Sequence, residues 1–557
     1  MTKRVGTVEP TETEQETSAA RLGIGRAALL IGGLTVVARI LGFGRTLVFA
    51  GTVKTSCLAA AYVTANQVPN VIYDIVLGGA LTAIVVPVLA GPADRAIGAG
   101  GSDASRDVRA ISSALLTWTV VILTPVSLAV ALASGPVISA LMPANPESGC
   151  ARAQLVAIAG RMLVVFAPQI VLYGVAVVLY GILQSHRRFT APALAPIVSS
   201  VVVIAAYAIF VPLGGAFTTD VTGLPPAAEY TLSAGTTLGV AALALTAVWP
   251  VWRLRLRLRP MLRLPDGVAR RARSLAGAGV AALIAQDASV LFVTRLANEH
   301  GRSHGSAVAL YSYGWQAFVS VYGVLAIPIA ISAFPVLAVR KGAEFDQAAA
   351  SATRATVLAS SLGAALLAGV AVPAARAFPH LDQSVSGQFA LALVAFAPGL
   401  VGYGLTACLS RVLFADGRNV GAAVAMVAGW LLVIVVDVIT VPLVPARAVV
   451  PVLALANTIG MSVSALALLV AVGRARGAAA LHGNWRALGA GLAGGVAGAA
   501  AGLGLSAALP VSGHVLNAGL AAAVGVCVLA VFCGVVAVLD GGDLRSVLAR
   551  VRRRVAS

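Results

Sequence analysis

About fourteen apolar stretches, each long enough at roughly 20 residues to cross a bilayer as one helix, recur along the chain. The first is centred on Val36 and the last on Val526. Only 11% of the 557 residues are charged, against about 25% in soluble domains. Because lipid offers no hydrogen bonds to the backbone, such stretches favour helices. The sequence therefore predicts an all-α polytopic membrane protein with about 14 transmembrane helices.

The loops between these stretches carry charge asymmetrically. Arg187 and Arg188 lie in one even-numbered connection, and the next, residues 253–273, is rich in arginine. The odd-numbered connections hold isolated cations such as Lys54 and Arg152. Since cytoplasmic loops carry an excess of Lys and Arg, both termini are predicted in the cytoplasm. The use of arginine rather than lysine is typical of a GC-rich bacterial gene, which indicates a multi-pass protein of the bacterial inner (plasma) membrane.

Similar motifs suggest an internal repeat. IVVPVLA at 84–90 resembles SAFPVLA at 332–338, and the segment 4 exit from Gly181 resembles the segment 10 exit from Arg411. Repeated halves around a central site are usual in secondary transporters, whereas chance similarity in so Ala- and Val-rich a chain is the alternative. We expect two six-helix lobes plus two C-terminal helices. The expected regions are a disordered cytoplasmic tail (1–21), an N-lobe (22–254), a basic cytoplasmic connection (255–273), a C-lobe (274–474), segments 13 and 14 (475–541) and a basic cytoplasmic tail (542–557).

Several classes of protein are disfavoured by the composition. The five cysteines form no CxxC and have no histidine at ligand spacing, so neither a disulfide framework nor a metal site is expected. HExxH and P-loop motifs are absent from the sequence, which argues against a metalloprotease and against an ATP-driven motor. The formal charge of +18 is not interleaved with aromatics on a soluble domain, so no nucleic acid is expected as a partner.

Two arginines interrupt the first apolar stretch. Arg39 and Arg45 flank Gly42 and Gly44, and a cation at membrane depth costs roughly 2.5–3.5 kcal/mol. The two side chains lie about 120° apart around a helix, so both can border one broad cavity. We interpret them as lining a wet cavity that holds an anion. The alternative is that Arg45 extends to the membrane interface.

Other polar residues occur inside apolar stretches. Segment 2 contains Asn70 and Asp74 on one helical face after Pro69, and broken polar helices at membrane depth line cavities. Helix–helix hydrogen bonding is the alternative for its amides. Asp287 and Asp437 lie in segments 7 and 11. A carboxylate there must be paired, protonated or bound to a cation, which makes both candidates for a coupling Na+ or H+. No other cofactor is expected.

Five motifs together resemble those of the MurJ/MviN family of lipid II flippases, in the multidrug/oligosaccharidyl-lipid/polysaccharide exporter superfamily. The motif YDIVLGGALTAIVVPVL is similar to the actinobacterial branch. The motifs are ARILGFGR (38–45), VPN with GAL (68–70 and 79–81), FTAPALAP (189–196), YGVL (322–325) and LSRVLFADGR (409–418).

The resemblance implies a two-lobed protein whose central cationic cavity receives the diphosphate and sugars of lipid II, with segments 13 and 14 forming a groove for the polyprenyl tail. It implies that Arg39 and Arg45 contact the diphosphate. Some members bind Na+ through segments 7 and 11, where Asp287 and Asp437 lie. The candidate substrate-binding residues are Arg39, Arg45, Asn70, Tyr73, Asp74 and Gln316.

The chain departs from the family pattern at four positions. Ala60 and Gly78 replace acidic residues of many relatives, and Tyr73 and Gln316 replace arginines. The expected function is movement of lipid II from the inner to the outer leaflet by alternating access, for cell-wall synthesis. The alternatives are export of another lipid-linked saccharide or a drug, and a non-transporting scaffold for cell-wall enzymes. Expected partners are lipid II or a related undecaprenyl-diphosphate lipid, anionic membrane lipids, and cell-wall synthesis or division proteins.

Overall fold

A computed structural model describes residues 33–76, 85, 89, 102–143, 150–186, 188–256, 258–263, 268–301 and 306–541, with backbone alone at 102–105 and 268–279. The predicted tails at 1–21 and 542–557, Gly78 and most of the 84–90 motif lie outside these residues.

The described residues form α-helices joined by turns and short 3-10 segments, and they contain no strand. The helices are α1 (Gly33–Thr52), α2 (Cys57–Ile75), α3 (Ser102–Leu132), α4 (Ser134–Leu141), α5 (Arg152–Phe166), α6 (Gln169–Ser185), α7 (Thr190–Gly214), α8 (Pro226–Trp252), α9 (Val268–His300), α10 (Ala307–Leu325), α11 (Ile327–Val339), α12 (Gly342–Gly369), α13 (Ala371–Ala377), α14 (Gln383–Phe396), α15 (Gly399–Ala415), α16 (Asn419–Thr440), α17 (Val449–Arg476), α18 (Asn484–Ala508) and α19 (His514–Leu539).

The number of membrane spans agrees with the prediction. Within the described residues, 12 helical spans are long and apolar enough to cross a membrane, and α10 with α11 forms a further one bent by 42°. The remaining predicted segment begins in α2 and continues into residues outside those described. The all-α polytopic fold is confirmed.

Two of the spans are interrupted in the same way. Residues 152–185 and 383–415 are each broken at an Ala-Pro pair, Ala167-Pro168 and Ala397-Pro398. Proline lacks the N–H that would continue the helical hydrogen-bond ladder, so the local sequence explains both breaks. These are segments 4 and 10, whose exits share a motif, and the matching breaks extend that similarity from sequence to structure.

Contacts divide the helices into two groups. Helices α2 to α8 contact mainly each other, as do α9 to α19, and the main contacts between the groups join α2 to α9 and α10, and α4 to α9. Near these contacts one continuous buried core contains residues of both groups, such as Leu58 and Leu310. Toward the other end of the bundle, the core around Leu183 and the core around Leu413 are separate. The two groups therefore share one core at one end and have separate cores toward the other.

Hydrogen bonds close this junction, which we call the seam. Asn298 Nδ2 donates to Thr64 Oγ1 at 2.9 Å and to the Leu141 carbonyl at 3.1 Å. Arg295 Nη1 donates to the Ala140 carbonyl at 2.9 Å. The Ser306 N–H donates to the Thr55 carbonyl at 3.2 Å. Because all these bonds cross between the groups, the seam has to be broken before the groups can separate at this end. They are donated by Asn298, Arg295 and Ser306 to Thr64, Leu141, Ala140 and Thr55.

The prediction that the cysteines form no disulfide is wrong for one pair. Cys57, at the start of α2, and Cys150, just before α5, are joined by a disulfide, with their Cα atoms 5.9 Å apart. The partners are 93 residues apart, so their proximity arises from helix packing and leaves no local sequence pattern. Cys408, Cys527 and Cys533 are free. The bond attaches the seam end of α2 to α5.

We predict that replacing Cys57 with Ser lowers the thermal stability of the purified protein, because the unfolded chain loses its cross-link; removal of a native disulfide typically costs about 2–5 kcal/mol. A reductant should lower the unfolding temperature of the wild type in the same way and leave Cys57→Ser unaffected. Cys527→Ser, which alters a free cysteine, is the control. An unfolding temperature of the wild type that does not respond to reductant would contradict the prediction.

Candidate functional site

The first helix carries Arg45 into a cluster of buried tyrosines. The Arg45 side chain is half-buried and interacts electrostatically with Tyr62, Tyr173 and Tyr207. The Tyr62 hydroxyl lies 2.8 Å from that of Tyr207 and 2.7 Å from Thr236 Oγ1. Arg45 therefore faces a polar protein interior, and this placement favours cavity lining over extension to the interface.

Arg39 lies two turns of α1 further from the seam and reaches the second helix group. A Cβ built on Gly323 of α10 would come within 2.9 Å of the Arg39 Cζ, so the guanidinium rests directly on the α10 backbone. The neighbouring Tyr322 interacts electrostatically with both Arg39 and Arg411 of α15. Two cations from different helices thus approach one tyrosine of the second group.

The predicted polar face of α2 lines the same region. The Tyr173 hydroxyl donates to Asn70 Oδ1 at 3.3 Å, and the Tyr73 and Tyr173 rings lie 4.1 Å apart. Asp74, the next residue of this face, interacts electrostatically with both tyrosines. The structure therefore brings Asn70, Tyr73 and Asp74 together with Arg45, through their shared neighbour Tyr173.

Carboxylates from the two groups also converge. Asp74 of α2 and Asp287 of α9 interact electrostatically with each other and with Tyr403 of α15. Asp287 is 2% exposed, and neither of its carboxylate oxygens has a hydrogen-bond partner among the described residues. Gln316, on α10, is half-buried and donates to Ser320 Oγ at 3.3 Å within its own helix. The site therefore contains both signs of charge.

Asp437 lies apart from this group. It is fully buried on α16, both its carboxylate oxygens lack a hydrogen-bond partner among the described residues, and it interacts electrostatically with Tyr311. Gly460 of α17 lies against Val433 of α16. About one helical turn further along the same pair of helices, this register brings Asn457 of α17 near Asp437 of α16. The Asn457 Oδ1 is also buried without a partner.

Three participants were missed by the interpretation of the sequence. Arg411 is half-buried within α15 and donates to the Ala407 carbonyl at 2.7 Å. As an arginine inside an apolar stretch, it carried the same signal as Arg39. Tyr173 and Tyr403 connect the arginines and carboxylates, but a tyrosine in an apolar helix carries no distinguishing sequence signal. The described residues contain no group of three or more side chains suited to a metal ion.

A membrane protein whose two helix groups enclose arginines and carboxylates between them has the architecture of a transporter. The chain belongs to the lipid II flippase MurJ family, whose family model matches residues 49–507. That family comprises transporters and not enzymes. The resemblance to this family is confirmed, and the matched residues include four of the five motifs and cover most of both helix groups.

Individual relatives are more distant. A lipid II flippase MurJ of Burkholderia cenocepacia is 27% identical over 186 residues, which span 33% of this chain and 34% of that relative. The structure of a lipid II flippase MurJ in an inward closed conformation matches with a TM-score of 0.68 and 15% identity, covering 91% of this chain and 99% of that one. An inward-facing multidrug resistance MATE family transporter matches with a TM-score of 0.60 and 16% identity, over 81% and 98%. These structures share the fold.

Contacts at two glycines predict opposite effects of the same substitution. We expect Gly323→Ala to preserve the folded yield, because the atoms nearest its Cβ belong to the flexible end of Arg39. The same substitution should weaken anion binding at the site by displacing that guanidinium. Gly402→Ala should lower the folded yield, because its Cβ would lie 2.7 Å from the backbone carbonyl carbon of Met461. Size-exclusion profiles and ligand binding of both variants would check this. Equal folded yields and equal binding would contradict it.

Proposed function

We propose that this protein is a flippase that moves lipid II, an undecaprenyl-diphosphate-linked peptidoglycan precursor, from the inner to the outer leaflet of the bacterial plasma membrane. The observation that carries the proposal is that α1 presents Arg45 to tyrosines of the first group and Arg39 to Gly323 of the second. Arg411 approaches the same tyrosine as Arg39, Tyr322. The planar guanidinium donates paired hydrogen bonds to phosphate oxygens. Three of them suit a diphosphate better than a neutral or cationic ligand, and the family assignment supports the lipid.

We further propose that the protein works by alternating access and that the seam is its extracytoplasmic gate. The loops at the seam end include Lys54 and Arg152, whereas Arg188 and Arg253 lie at the opposite end, so the positive-inside rule supports cytoplasmic termini and a cytoplasmic opening. A disulfide between Cys57 and Cys150 at the seam end fits an oxidising compartment. In this state the lipid headgroup would enter at the end where the two groups have separate cores. Opening the seam would then expose it outside.

Replacing Arg39, Arg45 or Arg411 with Ala should each reduce lipid II flipping by about tenfold or more, because a hydrogen bond to a charged group contributes roughly 1.5–3 kcal/mol. The measurement is flipping of labelled lipid II in proteoliposomes, together with rescue of cells depleted of their own flippase.

Arg340→Ala is the matched control, since Arg340 is exposed at a helix end outside the site. Full flipping by all three site variants would refute the diphosphate site. Rescue of depleted cells by a variant that has lost flipping would indicate a scaffold.

We also propose that Asp437 holds the coupling cation, Na+ or H+. Its buried carboxylate lacks a protein partner among the described residues, and the nearby Asn457 Oδ1 offers a second oxygen. Oxygen donors of this kind suit a hard cation. Asp287 is the other candidate, but it faces Asp74 within the candidate substrate site. A cation there would act on the ligand and the gate together.

If Asp437 holds the cation, Asp437→Asn should abolish the acceleration of flipping by an imposed Na+ or proton gradient while lipid II binding persists. Gradient-driven proteoliposome assays measure this. Asp382→Asn, which alters an exposed carboxylate at the start of α14, should respond like the wild type. A variant at Asp437 with undiminished gradient dependence would exclude the role.

A second function is export of a different lipid-linked saccharide or of a drug. The specific observation in its favour is that Tyr73 and Gln316, where many relatives have arginine, are neutral and turned to a tyrosine ring and a serine. A competition assay with other undecaprenyl-linked saccharides would distinguish the two functions.

A further inference from the structure

The segment that follows α8 lies along α3 and is hydrogen-bonded to it. The Arg259 N–H donates to Ser113 Oγ at 3.2 Å, and the Met261 N–H donates to Thr117 Oγ1 at 3.0 Å. The Trp118 indole N–H completes the attachment by donating to the Leu262 carbonyl at 2.9 Å. Residues 253–256 and 258–263, which we call the basic strap, are thus attached to the first helix group through backbone atoms.

Alternating residues give the basic strap two faces. Leu254, Leu256 and Leu258 are half-buried and pack against the core of the first helix group. Arg253 and Arg255 are exposed between them. The chain turns at 253–255, so the burial of the leucines against the helices, and not a regular strand, sets this arrangement. The apolar face attaches the strap and its arginines remain available.

The strap completes a cavity that is lined by three arginines. The cavity has a volume of about 990 Å³, and Arg188, Arg253 and Arg255 line it together with an apolar wall that includes Leu179 and Val248. None of the three arginines has a carboxylate partner among the described residues. Charged groups concentrated in one concave site are costly unless a counter-charge is bound.

Two features hold the arginines in place. The Arg253 Cζ lies 3.6 Å from the centre of the Trp249 ring, a cation–π contact that orients the guanidinium. Arg255 has a φ of 52°, in the left-handed region that side-chain-bearing residues seldom adopt. Such backbone conformations persist where the surroundings impose them, often at ligand sites. The adjacent Trp252 is 74% exposed, as is usual for tryptophan at a membrane interface.

We propose that this cavity binds the phosphate headgroup of a membrane lipid, with the three guanidinium groups on the phosphate and the acyl or prenyl chain on the apolar wall. Free inorganic phosphate fits less well, because it would leave that wall exposed to water. The lipid is either a resident anionic phospholipid or an undecaprenyl-diphosphate lipid waiting to enter the central site. The proposal holds for this cavity whether or not lipid II is the transported substrate.

The test is native mass spectrometry of the delipidated full chain titrated with phosphatidylglycerol, undecaprenyl diphosphate and phosphatidylcholine in separate arms. We expect phosphatidylglycerol or undecaprenyl diphosphate to bind the wild type at least about tenfold more tightly than it binds the triple variant Arg188→Gln/Arg253→Gln/Arg255→Gln. The corresponding triple Lys variant, which keeps the charge, should retain most of the binding.

The control triple variant Arg340→Gln/Lys341→Gln/Arg474→Gln removes the same charge from exposed positions outside the cavity and the strap, and it should bind like the wild type. If the cavity variant loses binding of phosphatidylglycerol alone, the ligand is the resident phospholipid. If it loses binding of undecaprenyl diphosphate alone, the ligand is the waiting substrate. Equal binding by the cavity and control variants in both arms would overturn the site. Phosphatidylcholine binding as tight as that of the anionic lipids would also overturn it.

Discussion

Cations at membrane depth are the constraint on which the architecture depends. Arg39, Arg45 and Arg411 lie on helices that are otherwise apolar enough to face lipid, and lipid exposure of any one of them would be costly. The helices must therefore pack so that these side chains face protein and water. Two helix groups that meet at the seam and separate into distinct cores beyond it provide such a place. The internal site follows from where the arginines stand in the sequence.

The seam and the site are connected through the same helices. Helix α2 supplies Thr64 to the seam and, further along, Asn70 and Asp74 to the site. Helix α9 likewise carries Asn298 at the seam and Asp287 in the site. A rigid helix transmits displacement along its length, so separation of the groups at the seam necessarily changes the distances between the site residues. Helices α2 and α9 are both packed against their neighbours, so each is expected to move as a unit.

Some of this could be predicted from the sequence, and the limit is physical. The length of apolar stretches specifies the spans because the bilayer has a set thickness, and Arg39 could be singled out because its cost is local. The Cys57–Cys150 bond, the approach of Asp74 to Asp287 and the contact of Arg39 with Gly323 each depend on how distant helices pack. No local pattern encodes such contacts. Arg411 is different, because it is an arginine within an apolar stretch and could have been predicted as a site residue on the same grounds as Arg39. It lies in the 409–418 motif, which served only to indicate the family.

The balance of charge in the site bears on how a ligand could move the protein. Asp74 and Asp287 stand on different helix groups and interact electrostatically, so ionisation of both carboxyl groups would favour separation of the groups. Arg39 contacts the second group at Gly323 and therefore opposes that separation. An anion that draws Arg39 toward itself would weaken this contact, whereas a cation between the carboxylates would strengthen the closed state. A ligand shifts a conformational equilibrium only through such differences in affinity between states. In this site, an anion and a cation would each have different affinities for the open and the closed state.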